Sequence, residues 1–421
     1  MSERKVIWLV CNNVQPPEID THLRHQKFAR YLEQDGYDVY IIGASYLHYS
    51  KKNLIEGKES YILKEYPDLK YIFIKTSSYT NNTGIKRFYS NFQFAWRLYR
   101  LRNRLPRPDL IVHNTRIPCD FPVYWAAKRL GSVYITETWD LWPYGFVTAG
   151  IFRENSLPMK FFYWIEKFIY SHAKSNIFTL AGCKQYLIDH RWDTRQGGPI
   201  DLNHVYYINN GIDLIDFNNN KIKYQIDAPE LKDPNTFKVV YLGSISQING
   251  VDKIIDTAAL FKEENRFSFL IFGDGTERET LEQRVKKDHI DNVHFMNKWV
   301  EIKFVPYIIS CSDINLLNYT QTGDMKYGGS QGKLFQYLAA GKPIVSNNII
   351  GYDIVRHYGA GVSENITSPE QYKNILCSLM DDKDAYDTMS MAAKNAAKDF
   401  DFNHLYIKFK AVIDNALNEK G

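Results

Sequence analysis

The sequence is poor in what several classes of protein require. No window approaches the roughly 18 consecutive apolar residues that a membrane-spanning helix needs. Cysteine is scarce: Cys11, Cys119, Cys183, Cys311 and Cys377 are odd in number and widely scattered, which fits neither a disulfide framework nor a cysteine zinc site. The 11 histidines show no metal-ligand spacing; His22 and His25 stand three apart but without a cysteine cluster, so no metal is expected. Excess charge is also small, with 52 basic against 48 acidic residues and a net +4, which excludes a nucleic-acid binder driven by bulk charge. The apolar stretch Val6 to Cys11 gives way at once to Asn12-Asn13. It is too short for the apolar region of a signal peptide, and the expectation is a cytoplasmic chain. Aromatic residues, by contrast, are plentiful: 30 Tyr, 24 Phe and 8 Trp make 15% of the chain. That composition suits ring-stacking pockets, a membrane-surface face or an aromatic core.

At about 150 residues per domain, 421 residues imply two or three domains. Short apolar runs alternate with longer amphipathic stretches. Val6 to Val10 precedes a helical stretch from about His22 to Glu33, Asp35-Gly36-Tyr37 ends it, and Val39 to Ile42 follows as a strand. The rhythm recurs at Asp109 to Val112, Val133 to Ile135 and Asn176 to Phe178. After a polar stretch, Asp216 to Asn235, it restarts with strands at Phe237 to Leu242, Phe267 to Phe272, Val293 to Phe295, Ile314 to Leu317 and Pro343 to Val345. Apolar runs bounded by turns and separated by helices predict an α/β protein with parallel sheets covered on both faces. The polar stretch is read as a linker between two similar halves, and a last helix spans roughly His404 to Asn418.

In such folds ligands lie outside the carboxyl ends of the strands, at glycine-rich turns that open onto helices. Four turns qualify: Asn209-Asn210-Gly211, Leu242-Gly243-Ser244, Phe272-Gly273-Asp274-Gly275, and Gly328 to Lys333 ahead of the helix Leu334 to Ala340. Free N–H groups at a helix start attract phosphate, and Lys333 adds a full positive charge.

The order of these segments resembles the glycosyltransferase family 4 type of GT-B enzyme. The matching segments run from Arg24 to Val39, through Asp140-Leu141-Trp142-Pro143 and Ile208 to Asp213, to Tyr241-Leu242-Gly243-Ser244, Phe272 to Gly275 and Lys333 to Pro343. The resemblance implies two Rossmann-like domains with parallel sheets facing a central cleft. It implies an acceptor-binding domain over 1–215, a nucleotide-sugar-binding domain over 216–400, and a C-terminal helix, 401–421, packing back on the first. It also implies retaining, metal-independent transfer from a nucleotide diphosphate sugar, here onto a bacterial surface glycan. On this basis Gly243, Lys253, Gly332 and Lys333 are expected at the diphosphate, Gln336 at the ribose, and Ser244 and Gly329 among the substrate-binding residues. Asn210 and Arg24 are expected to bind substrate, and Asp140 with His113 to stand near the transferred sugar.

The sequence also departs from the family pattern. Gln336 and Gly328 occupy the places of two glutamates, Ser244 that of a phosphate-binding arginine, Asn249 that of its partner lysine, and Trp139 that of a histidine. An amide still accepts a bond from a ribose hydroxyl. Fewer positive groups remain to meet the charge left on the diphosphate. Two other readings therefore stand beside transfer: a catalytically inactive binding or scaffold relative, and a nucleotide-sugar epimerase. Glu137 and Asp140, three apart at a strand end, form a possible acid–base pair. Finally, Gly84 to Pro108 carries seven Lys or Arg among aromatic residues and no carboxylate, a composition that suits an anionic membrane surface at the inner face of the cell membrane.

Overall fold

The computed structural model describes residues 4–19, 24–80, 84–264, 266–319 and 325–418. His22, expected near the start of the first helix, lies outside the described residues. The chain divides into two units, residues 1–209 with 405–421, and residues 210–404.

The first unit is an eight-stranded sheet. Its strands are β1 (Val6–Val10), β2 (Asp38–Ala44), β3 (Tyr61–Tyr66), β4 (Leu69–Ile74), β5 (Leu110–Asn114), β6 (Val133–Thr138), β7 (Ser175–Phe178) and β8 (Val205–Tyr207), in the order β3-β4-β2-β1-β5-β6-β7-β8. All neighbours run parallel except β3, which pairs antiparallel with β4 at the edge. β1 reads VIWLV and is almost wholly buried because helices cover both sheet faces. β3 is the exception, a half-exposed edge strand with no such run.

The second unit is a six-stranded, all-parallel sheet of β9 (Phe237–Leu242), β10 (Phe267–Phe272), β11 (Val293–Phe295), β12 (Ile314–Leu317), β13 (Ile344–Ser346) and β14 (Gly361–Ser363). Its order is β11-β10-β9-β12-β13-β14. That is the doubly wound order, whose direction reverses between β9 and β12, and ligands bind at such reversal points. Here the pairing of β9 with β12 stops at Val240↔Asn315, so their carboxyl ends part. The polar stretch read as a linker belongs to this unit. Asp213 caps the helix Leu214–Lys223, and Phe217 from that helix enters the unit's core.

The helix Phe402–Asn418 returns to the first unit. Phe409 stacks on Phe28 with ring centroids 4.4 Å apart, and Tyr406 donates to Asp35 at 2.5 Å. Among the described residues no helix is long and apolar enough to cross a membrane.

Candidate functional site

In the second unit the reversal point is occupied by Lys333. The helix Gly332–Ala340 begins there without a side-chain cap, so no side chain competes with an anion for its first N–H groups. The Lys333 ammonium lies 5.0 Å from the centre of the Tyr241 ring at the end of β9 and 5.5 Å from that of Tyr319 just beyond β12. No carboxylate pairs with it among the described residues, and burial pushes its pKa down to about 8. Gln336 is one turn further on the same helix face, and its Oε1 is buried without a hydrogen-bond partner. A half-buried cation without a carboxylate and a buried acceptor without a partner, on one helix face, suit the polar groups of a ligand.

The walls of this site are backbone. A Cβ on Gly273, at φ +121°, would stand 1.9 Å from the Gly243 carbonyl oxygen, so the turns after β9 and β10 touch main chain to main chain. Arg278 holds the second turn, donating to the Gly273 carbonyl and, at 2.7 Å, to that of Met296, while Glu282 pairs with its Nε at 2.6 Å. Asn318 ties the end of β12 to the Asn249 and Gly250 carbonyls, at 3.0 and 2.5 Å. Neither Arg278 nor Asn318 was legible as a site residue, because each acts through carbonyls far away in sequence.

Of the expected diphosphate residues, Gly243, Gly332 and Lys333 are placed together, with the Lys333 Nζ 3.8 Å from where a Gly243 Cβ would be. Ser244 is exposed and its carbonyl accepts from the Tyr241 hydroxyl at 2.7 Å. Gly329 lies against Ile350 and Met325 in the loop before the helix. Lys253 lines a pocket with Asp256, Thr257, Asn347, Thr367 and Tyr372. Asn210 is the first residue of the second unit.

In the first unit Arg24 and His25 both bond to Glu137, at 2.7 and 2.8 Å. Arg24 also donates to the Asn209 carbonyl, which leaves only its Nη2 without a partner among the described residues. Burial raises the Glu137 pKa, but Arg24 and His25 outweigh it and hold the carboxyl at about 2. A fully buried, doubly paired anion is no general acid, which corrects the expected pairing of Glu137 with Asp140. His113 is a second correction. It is 1% exposed and bonded to the Tyr134 hydroxyl at 2.8 Å, and burial drives its pKa down to about 3. Its Nε2 lies 3.9 Å from the buried Asp120 at the start of the covering helix.

Asp140 is exposed and lines a small pocket with Thr115, Arg116, Trp142 and Pro143, and with the buried Asp120 and Glu166. The Arg116 guanidinium stacks on Trp142 at 4.5 Å and its buried Nε has no partner. Burial pushes Asp120 and Glu166 up to about 7 each, while Tyr170 and Tyr186 donate to Glu166 at 2.8 and 2.5 Å. Among the described residues no three His, Cys, Asp or Glu side chains are grouped to hold a metal ion.

Comparison with known proteins divides the chain in the same way. Residues 26–215 match the Glycosyltransferase Family 4 model and residues 236–382 the model for Glycosyl transferases group 1. The chain belongs to the group 1 glycosyltransferases. Two curated proteins are similar to it. A 2-deoxystreptamine N-acetyl-D-glucosaminyltransferase of Niallia circulans is 28% identical over 147 residues, 33% of this chain and 36% of that protein. The probable glycosyltransferase WbjE of Pseudomonas aeruginosa is 20% identical over 279 residues, 65% of each. The chain thus spans less than two thirds of the length of either relative. Solved glycosyltransferases align over nearly their whole length. Alr3699/HepE of Anabaena, in complex with UDP and glucose, has a TM-score of 0.64 at 16% identity, covering 98% of this chain and 100% of that one. WaaG, a glycosyltransferase involved in lipopolysaccharide biosynthesis, has a TM-score of 0.62 at 17% identity, covering 96% and 98%. The fold is that of the GT-B glycosyltransferases.

Proposed function

We propose that this glycosyltransferase moves a sugar from a nucleotide diphosphate sugar to an acceptor glycan, with retention at the anomeric carbon, in bacterial surface polysaccharide synthesis. The observation that carries the proposal is the unpaired Lys333 ammonium at the start of an uncapped helix, at the reversal point of the sheet. In the reaction the bond between the anomeric carbon and the diphosphate oxygen breaks and its electron pair leaves with the diphosphate. The acceptor hydroxyl oxygen bonds to the same carbon on the face the diphosphate leaves, and its proton passes to the departing diphosphate oxygen. Lys333 and the helix N–H groups stabilise the charge that develops on the leaving group, with no resident metal assigned. Gln336 Oε1 accepts from a ribose hydroxyl. Asp140 holds the acceptor hydroxyl beside Arg116. UDP is the first nucleotide to try, since HepE holds UDP and glucose. The acceptor is taken to be lipid-linked, which places the chain at the cytoplasmic face of a membrane.

A thermal-shift screen of UDP, GDP, ADP and their sugars tests the donor, because a ligand at 100 times its Kd stabilises by about 2.7 kcal/mol. Product analysis with and without acceptor then separates the readings. Transfer requires acceptor, epimerisation proceeds without it, and an inactive relative turns over neither. If no nucleotide moves the melting temperature, the donor assignment fails.

A further inference from the structure

The helices Ile85–Leu101, Asp120–Leu130 and Leu157–His172 lie side by side in the first unit. Their inner sides are buried, through residues such as Phe94, Leu98, Val123 and Ile165. Their outer sides carry a continuous run of rings. Phe92 meets Trp96 at 6.1 Å between centroids, Trp96 meets Tyr99 at 5.6 Å, and Tyr99 meets Trp125 of the next helix at 6.4 Å. Trp125 then stacks on Phe121 at 5.6 Å, and Phe121 reaches Trp164 of the third helix at 5.9 Å. Trp96, Trp125 and Trp164 are 38, 42 and 54% exposed, and Phe88 and Phe161 extend the surface at its margins. Isolated exposed apolar residues need no explanation, but a contiguous aromatic band across three helices marks an interaction surface.

The charge on this surface has one sign. The three helices contain two carboxylates, Asp120 and Glu166, and both are buried. Lys86, Arg100, Lys128, Arg129 and Lys160 are exposed among or beside the rings. Arg97 does not join them, since it donates to the Lys75 carbonyl at 2.6 Å, and Arg104 lies past the helix end in the turn Arg102–Arg104. A second copy of this chain, meeting the band face to face, would set like charges against each other. An anionic lipid surface matches both features: headgroups take the Lys and Arg, and Trp and Tyr seat at the boundary between headgroup and acyl chain.

We propose that the outer face of these three helices is a docking surface for anionic lipid bilayers. The binding is interfacial and reversible, with no segment crossing the membrane, and salt weakens it because the attraction is screened. It is independent of the donor assignment, and it supplies the contact that a lipid-linked acceptor requires.

The test is co-sedimentation of the full chain with vesicles of phosphatidylcholine alone and of phosphatidylcholine mixed with phosphatidylglycerol, at low and high salt. The parent is expected to sediment with the anionic vesicles only, and high salt is expected to release it. Near an anionic surface each basic residue contributes about fivefold in partitioning, so R100Q/K128Q/K160Q should lower it about a hundredfold. W96S/W164S should lower it at low salt, where the parent binds. Both variants should keep the parent's melting temperature and nucleotide binding, measured in the same preparations. The proposal is overturned if the parent stays in the supernatant with anionic vesicles, or if both variants sediment as the parent does. It is equally overturned if the parent is a dimer without lipid that W96S/W164S dissolves.

Discussion

Lys333 shows how a single side chain sets stability against function. Burial lowers its pKa from 10.5 to about 8, so the folded chain gives up this proton more readily than the unfolded chain. Between those values the unfolded state binds the extra proton, and stability rises with pH across that window. Below about pH 8 the cost of burying the charge is fully present. Lys333→Met should therefore stabilise the unliganded chain at neutral pH by about 1–3 kcal/mol, read from denaturant melts. The same change should weaken nucleotide diphosphate binding by about 1.5–3 kcal/mol in a calorimetric titration, because it removes a charge-assisted contact. For the parent, affinity should decline above about pH 8 as the ammonium is lost. A variant that is less stable and binds unchanged would remove Lys333 from the site. Gln336 gives a companion test. Gln336→Glu should bind at least as tightly as the parent, since a carboxylate accepts a ribose hydroxyl more strongly, whereas Gln336→Leu should bind more weakly.

At the scale of elements, the strand-end turns divide the glycines into two kinds. Gly273→Ala forces a methyl group onto the Gly243 carbonyl at a backbone angle that favours glycine, so it should destabilise the second unit by about 2 kcal/mol or more. Gly332 is helical, and a Cβ there would meet nothing within 4 Å. Gly332→Ala should thus be neutral or stabilising by up to about 1 kcal/mol, yet weaken donor binding if the diphosphate rests on that backbone. Calorimetric melting and nucleotide titration of the two variants separate packing from binding. Most strands buried on both faces were legible from their continuous apolar runs, but β4, equally buried, was not among them. β3 was not legible either, since an edge strand with alternating exposure carries the polar run Lys64-Glu65, and the short strands β8 and β14 were also missed although β11 and β13 are just as short. The glycine turns and Lys333 could be found from spacing alone. The pairing of Glu137 with Arg24 joins positions 113 residues apart, and the sealing of His113 depends on Tyr134 of the next strand. Neither fact is local, so neither was available to a sequence pattern.

For the whole molecule, the buried ionisable groups give the two units opposite pH responses. In the first unit burial raises Glu166 from 4.5 and Asp120 from 3.8 to about 7. Between those values the folded state holds more protons than the unfolded chain. These two groups make the stability of that unit fall as pH rises from about 4 to about 7 and add no further loss above it, while His113, whose pKa burial lowers to about 3, contributes in the opposite direction up to pH 6.5. In the second unit the Lys333 contribution acts above pH 8 and in the other direction. Scanning calorimetry should resolve two transitions whose separation changes with pH, since each unit buries its own core. Assignment of the transitions comes from the returning helix. Phe409 is fully buried on Phe28, so Phe409→Ala should cost about 3–5 kcal/mol and lower only the first unit's transition. On that same transition Glu166→Gln should flatten the fall between pH 5 and 7 and leave the chain about 2–3 kcal/mol more stable near pH 8, where the parent buries a charged carboxylate. The variant amide still accepts a bond from Tyr170 or Tyr186, which limits the loss from its removal. If the Glu166→Gln transition keeps the parent's slope across that range, Glu166 is not the group that titrates there.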